Sequence, residues 1–176
     1  MKQPYAGLWP RLLAFAVDYL LIAAYLVVLV AIGALLPRLA PGVARALFGS
    51  PLTGELSGFI SITLPVSLYF ALSESSARQA TWGKRKLRLR VERLDGARVS
   101  TGRSLARTAL KFVPWELAHA CIWQITFAAG QPSPLISAGF ALVWVLVGAN
   151  LVSLLVSRKH QTLYDWLSDT VVVGPV

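Results

Sequence analysis

Residues 12–36 read LLAFAVDYLLIAAYLVVLVAIGALL, an apolar run broken by a single charge, Asp18. At 1.5 Å per residue a helix of this length rises about 37 Å, enough to cross a hydrocarbon core of about 30 Å with some tilt. The run is much longer than the roughly 7–15 apolar residues of a cleaved secretory signal. It reads as an uncleaved signal-anchor that Pro37 ends, with Tyr5 and Trp9 before it as interfacial aromatic anchors.

Three more apolar runs follow, at 56–72 with Pro65 as a kink, at 112–129 and at 137–156. The stretch 37–55 is rich in Pro and Gly and reads as turns, and Gln131-Pro132-Ser133-Pro134 turns the chain between the last two runs. Composition points the same way. The chain is 56% hydrophobic and 14% charged, where a soluble domain carries about 25% charged residues. The expected fold is an all-α membrane protein: one domain over 1–176, a four-helix transmembrane bundle with a small cytoplasmic layer.

Seventeen Lys and Arg face eight Asp and Glu, a net charge of +9. Eleven of the seventeen lie in the loop 73–111, while 37–55 holds two and 130–136 none. Lys2, Arg11, Arg158 and Lys159 flank the outer ends. The positive-inside rule then puts both termini, the loop 73–111 and the tail 157–176 in the cytoplasm. Cations beside apolar spans suit anionic lipid headgroups, and no nucleic-acid recognition motif is present. Cys121 is the sole cysteine, so no intramolecular disulfide forms.

The basic loop has a pattern of its own. Leu87, Leu89 and Val91 alternate with Lys86, Arg88 and Arg90, as in a strand with one buried face. Asp95-Gly96 offers a turn, after which 97–100 reads as a short return strand. Arg103, Arg107 and Lys111 recur every four residues, as in a basic amphipathic helix lying among lipid headgroups. In the tail, Thr162 and Asp165 have capping-box spacing for a helix to about Ser168, and Thr170-Val171-Val172-Val173 reads as a strand. That strand is expected to pair with the one at 87–91, since an isolated edge is unstable.

Arg11 followed by Asp18, then Thr81-Trp82-Gly83-Lys84-Arg85 leading into Leu89-Arg90-Val91, resembles the RDD family of bacterial membrane proteins. The ending Gln161-Thr162-Leu163-Tyr164-Asp165 with Thr170-Val171-Val172 is similar to that family's usual ending. The resemblance makes Arg11, Asp18 and Asp165 the arginine and two aspartates of the family name. It implies a compact multi-span domain in the bacterial cytoplasmic membrane, and cation/proton exchange has been attributed to some relatives. The segment Pro114-Trp115-Glu116-Leu117-Ala118-His119 departs from the minimal family pattern.

An ionisable group inside a span is costly and marks a candidate functional site. Asp18 is one, with Arg11 two helical turns below it: a proton or cation site, or an interior pair that fixes packing. Glu116 and His119 stand three residues apart on one helix face. They suit a proton relay, interhelical hydrogen bonding, or a metal site in which Asp18 supplies a third ligand. Asp165 reads as a helix cap or as the partner of Arg11 or of an arginine in the basic loop. In the last span, Ala149 and Ser153 beside Gly148 suit close helix approach, and Asn150 a bond to a neighbouring helix.

No nucleotide-binding glycine pattern, Gly-x-Ser-x-Gly or His-Glu-x-x-His occurs, so no cofactor is expected and no reaction is specified. No internal repeat of the inverted-transporter kind is visible. The sequence leaves three functional readings. The first is transport or exchange of a small cation or solute through Asp18, Glu116 and His119, with Arg11 beside them and a homo-oligomer expected of so few helices. The second is a membrane-anchored interaction or assembly factor that uses the basic layer. The third is a metal-dependent membrane enzyme.

Overall fold

The first apolar run forms α1, Leu8–Leu39, in a computed structural model that describes residues 4–128 and 130–174. Lys2, and Ala129 at the expected end of the third span, lie outside the described residues. Helix α1 runs through Pro37 rather than stopping at it. Proline removes one backbone donor, and here the helix closes two residues later with Ala40 N donating to Leu36 O at 2.8 Å.

The stretch expected as turns is helical as well. Helix α2 spans Pro41–Phe48 and α3 spans Pro51–Gly58. Both prolines stand at the first helical position, where a missing N–H has no partner to lose. Ser50 caps α3, its hydroxyl accepting from Thr53 N at 3.1 Å. A π-helical turn, Phe59–Thr63, joins α3 to α4, Leu64–Ser75, so 51–75 is one helical rod with a widened turn just before Pro65. Pro65 cannot donate to the Ser61 carbonyl four residues back. The Tyr25 hydroxyl of α1 donates to that carbonyl instead, at 2.5 Å.

After α4 the chain forms the short helix α5, Trp82–Lys86, capped by the Thr81 hydroxyl, and then β1, Arg90–Arg93. The expected strand at 87–91 is therefore displaced towards its C-terminal end. Leu87 closes α5, and Arg88 takes a left-handed conformation with φ 55°, which no strand continues through. Strand β1 pairs antiparallel with β2, Thr170–Val173, with Val91 opposite Val172. The expected return strand at 97–100 is reduced to a single bridge between Glu92 and Arg98, and Tyr5 bridges to Val173 on the other side. Ala6, Ala14, Leu89, Val91, Val99 and Val172 make the small apolar core under this layer.

Helix α6 is continuous over Thr101–Phe127. The expected boundary near residue 112, between a headgroup-lying helix and a span, does not exist. Arg107 is only 2% exposed, so this side chain is docked on the protein rather than laid out among headgroups. Helix α7, Pro134–Val156, follows, then α8, Leu163–Leu167, opened by the Thr162–Asp165 capping box. Helix α6 packs against both α4 and α7, and α1 against α5 and α2.

Among the described residues, three helical stretches are long and apolar enough to cross a membrane: Leu8–Leu39, Pro51–Ser75 and Pro134–Val156. The fourth expected span is not among them. The part of α6 beyond Lys111 is interrupted by Glu116, His119 and Gln124, which dilutes its apolar character. Large apolar side chains on the rods point away from the protein, with Val30 71%, Trp144 74% and Leu135 82% exposed. Apolar faces of this extent suit lipid rather than water.

Candidate functional site

Five charges alternate in a line through the junction of the helices with the polar layer. Arg11 Nη1 on α1 donates to Asp165 Oδ2 on α8 at 2.6 Å. Arg107 on α6 donates to Asp165 Oδ1 through Nε and Nη2, at 2.9 and 2.6 Å, and through Nη1 to Glu74 Oε2 on α4 at 2.5 Å. Lys84 on α5 closes the line on Glu74 Oε1. The order is plus, minus, plus, minus, plus, and each charge comes from a different helix. Both carboxylates are fully buried, so each cation offsets a desolvation cost that the carboxylate bears alone once its partner is removed.

These surroundings shift the ionisation of the cluster. Burial by itself would raise the Asp165 carboxyl, but the guanidiniums of Arg107 and Arg11 outweigh it and hold that carboxyl below the usual range. Burial would likewise lower Arg107, yet Asp165 and Glu74 keep its guanidinium more firmly protonated than usual. Burial lowers Lys84, opposed by Glu74.

Asp18 is not the partner of Arg11. Its Oδ1 accepts from Tyr69 Oη and from Gly83 N, both at 2.7 Å, and its Oδ2 accepts from Thr81 Oγ1 at 2.6 Å. At 1% exposure it is a buried carboxylate held by neutral donors, and it pins the start of α5 to α1. Gly83 makes this approach possible, because a Cβ there would run into the Ala14 carbonyl.

The residues expected among headgroups separate from one another. Arg107 is buried in the ionic line. Arg103 is partly exposed and donates to Ser168 O and Asp169 Oδ2, both at 3.0 Å. Lys111 leans on the Phe70 ring, with Nζ 3.4 Å from its centroid.

Glu116 and His119 lie apart from the ionic line, further along α6. His119 Nδ1 is 3.7 Å from Glu116 Oε1, too long for a hydrogen bond. His119 Nε2 accepts from Trp123 Nε1 at 3.2 Å, which leaves Nδ1 to carry the proton of a neutral ring, facing the carboxylate. Gly58 lets the imidazole pack directly on α3, where any Cβ would collide with it. Glu116 Oε2, His119 Nδ1 and Thr108 Oγ1 are buried without a hydrogen-bond partner. Thr108 and Glu116 line a groove of about 520 Å³ between α4 and α6, together with Thr63 and Ser67. Among the described residues no three His, Cys, Asp or Glu stand together as metal ligands. Asp18, asked by a metal reading to join Glu116 and His119, spends its oxygens on Tyr69, Thr81 and Gly83.

In α7, Gly148 faces open space, Gly139 lies against Cys121 Sγ, and Ser153 donates to Gln161 O at 2.9 Å. Asn150 donates to Leu146 O of its own helix at 2.9 Å.

The sequence model of the RDD family matches residues 5–169, nearly the whole chain. The chain belongs to the RDD family. No curated protein and no solved structure matches it. In this RDD protein the motif residues Arg11 and Asp165 form one end of the ionic line, while Asp18 holds the motif Thr81-Trp82-Gly83. Sequence reasoning did not single out Glu74, Tyr69 or Thr108. For Glu74 a signal existed: it is the lone carboxylate where the second apolar run meets eleven cations. Nothing comparable marks Tyr69 or Thr108.

Proposed function

We propose that this RDD protein moves a small cation across a bacterial cytoplasmic membrane in exchange for protons, with Glu116 and His119 as the intramembrane proton and cation site. In this reading the helix over 112–128 is the fourth span, both termini are cytoplasmic, and the polar layer lies on the cytoplasmic side. One observation carries the proposal: Glu116 Oε2 is a buried, unpartnered carboxylate oxygen, and Glu116 lines a groove with the hydroxyl-bearing Thr63 and Ser67. Unpaired oxygens inside a bilayer are costly to maintain, and a carboxylate with hydroxyls is the donor set that small hard cations take. His119 stands beside the carboxylate, with Nδ1 3.7 Å from Glu116 Oε1 and without a hydrogen-bond partner of its own.

Asp18 and Arg11, weighed as pathway members on sequence, leave this reading because their polar atoms are spent on structural partners. The test is proton movement in proteoliposomes of the full chain on addition of Na⁺, K⁺ or Li⁺. Cation-dependent flux that Glu116→Gln removes is the expected result. Flux absent from correctly inserted wild type overturns it and favours the interaction reading, in which the exposed cations of the polar layer, such as Arg78, Arg85 and Lys86, engage a partner.

A further inference from the structure

Lys111 has three N–H donors, and among the described residues none of them meets a hydrogen-bond acceptor or a carboxylate at ion-pair distance. Its ammonium is enclosed by rings: Phe70 at 3.4 Å, Phe112 at 5.6 Å and Phe15 at 5.9 Å from Nζ to centroid. Such contacts ease a cation's desolvation but supply no counter-charge. The same ammonium borders a cavity of about 180 Å³ that Lys84, Arg107 and Arg11 also line. Four cations therefore meet three carboxylates here, Asp18, Glu74 and Asp165. Glu74 and Asp165 are consumed by the ionic line, and Asp18 is tied to neutral donors.

We propose that this cavity binds a phosphate-bearing anion, whose negative charge completes the cluster against Lys111. The size fits a phosphate group and is well short of the roughly 300 Å³ of the smallest pockets for drug-sized ligands. Two sources present that chemistry: the headgroup of an anionic phospholipid and free phosphate. The wall supplied by α1 favours the lipid. Leu12 and Phe15 line the cavity and are also 45% and 46% exposed on the outer apolar face of α1. A headgroup seated on Lys111 can thus run its acyl chains directly onto that face.

The experiment uses the full chain in neutral detergent. In one arm, native mass spectrometry follows retention from an equimolar mixture of phosphatidylglycerol and phosphatidylcholine. Wild type is expected to retain phosphatidylglycerol about tenfold better, Lys111→Gln to lose that preference and Lys111→Arg to keep it. In the second arm, inorganic phosphate is titrated while the thermal midpoint is read. A rise in wild type that Lys111→Gln lacks, without lipid preference, supports the site with free phosphate as its source. Should Lys111→Gln fail to fold, a photoreactive phosphatidylglycerol analogue is crosslinked to wild type. Crosslinks within 8–15 or 107–111 support the site, and crosslinks confined elsewhere overturn it. Equal retention of both lipids with no phosphate effect, or effects identical in wild type and Lys111→Gln, also overturns it.

Discussion

Arg107 is the residue on which two buried carboxylates depend at once. Replacing it with Ala leaves Glu74 and Asp165 each short of a cation, and breaking a buried pair costs about 3–5 kcal/mol. Arg107→Ala is therefore expected to lower the thermal midpoint sharply, if it folds at all. Arg107→Lys falls between, because an ammonium cannot reproduce the forked contact with both partners. Asp165 gives the cluster its pH dependence. Its carboxyl lies lower in the folded protein than in the unfolded chain, so the stability it contributes is complete above the ordinary carboxylate pKa of about 4. That contribution is lost as the pH falls through the lowered value. The thermal midpoint should thus hold from neutral pH to about 4 and decline below it, and Asp165→Asn should remove part of that acid sensitivity while lowering the midpoint at neutral pH. The sequence offered Asp165 either Arg11 or an arginine of the basic loop as partner; that it takes both, and that Glu74 joins them through Arg107, was not legible. The candidates were visible as charged residues in an apolar chain, but Asp165 faced several possible arginines. Only the fold brings position 107 beside positions 74 and 165.

At the scale of elements, the apolar runs were read correctly where length and composition decide, and the details were missed where a single backbone angle or cap decides. The runs at 12–36, 56–72 and 137–156 all became long rods. Strand β1 began three residues late because of the left-handed turn at Arg88, and 37–55 became helix because Pro41 and Pro51 start helices instead of ending them. Two element junctions carry predictions. Tyr25→Phe strips that donor from the Ser61 carbonyl and should destabilise the contact between α1 and the π-helical turn by about 1 kcal/mol, read as a lower midpoint with unchanged helix content. Gly83→Ala forces α5 off α1, and it should expose the basic layer to proteolysis between α4 and α6 while leaving the apolar rods protected.

For the whole molecule, the polar residues divide by place. The arginine, the aspartates and the motif around Gly83 join the layer to the rods, and their polar atoms are occupied. Glu116 and His119 lie beyond that junction with atoms to spare. From sequence, Asp18 and Glu116 looked alike, each a lone carboxylate in an apolar helix. Their difference is tertiary: three donors converge on Asp18, and no donor reaches Glu116 Oε2. The measurement that tests this division most directly is cation-driven proton flux in proteoliposomes, normalised to correctly inserted protein, for Asp18→Asn beside Glu116→Gln. The account predicts that Asp18→Asn lowers thermal stability but keeps its flux per folded molecule, whereas Glu116→Gln inserts normally and loses it. Flux lost in Asp18→Asn and retained in Glu116→Gln would contradict the account.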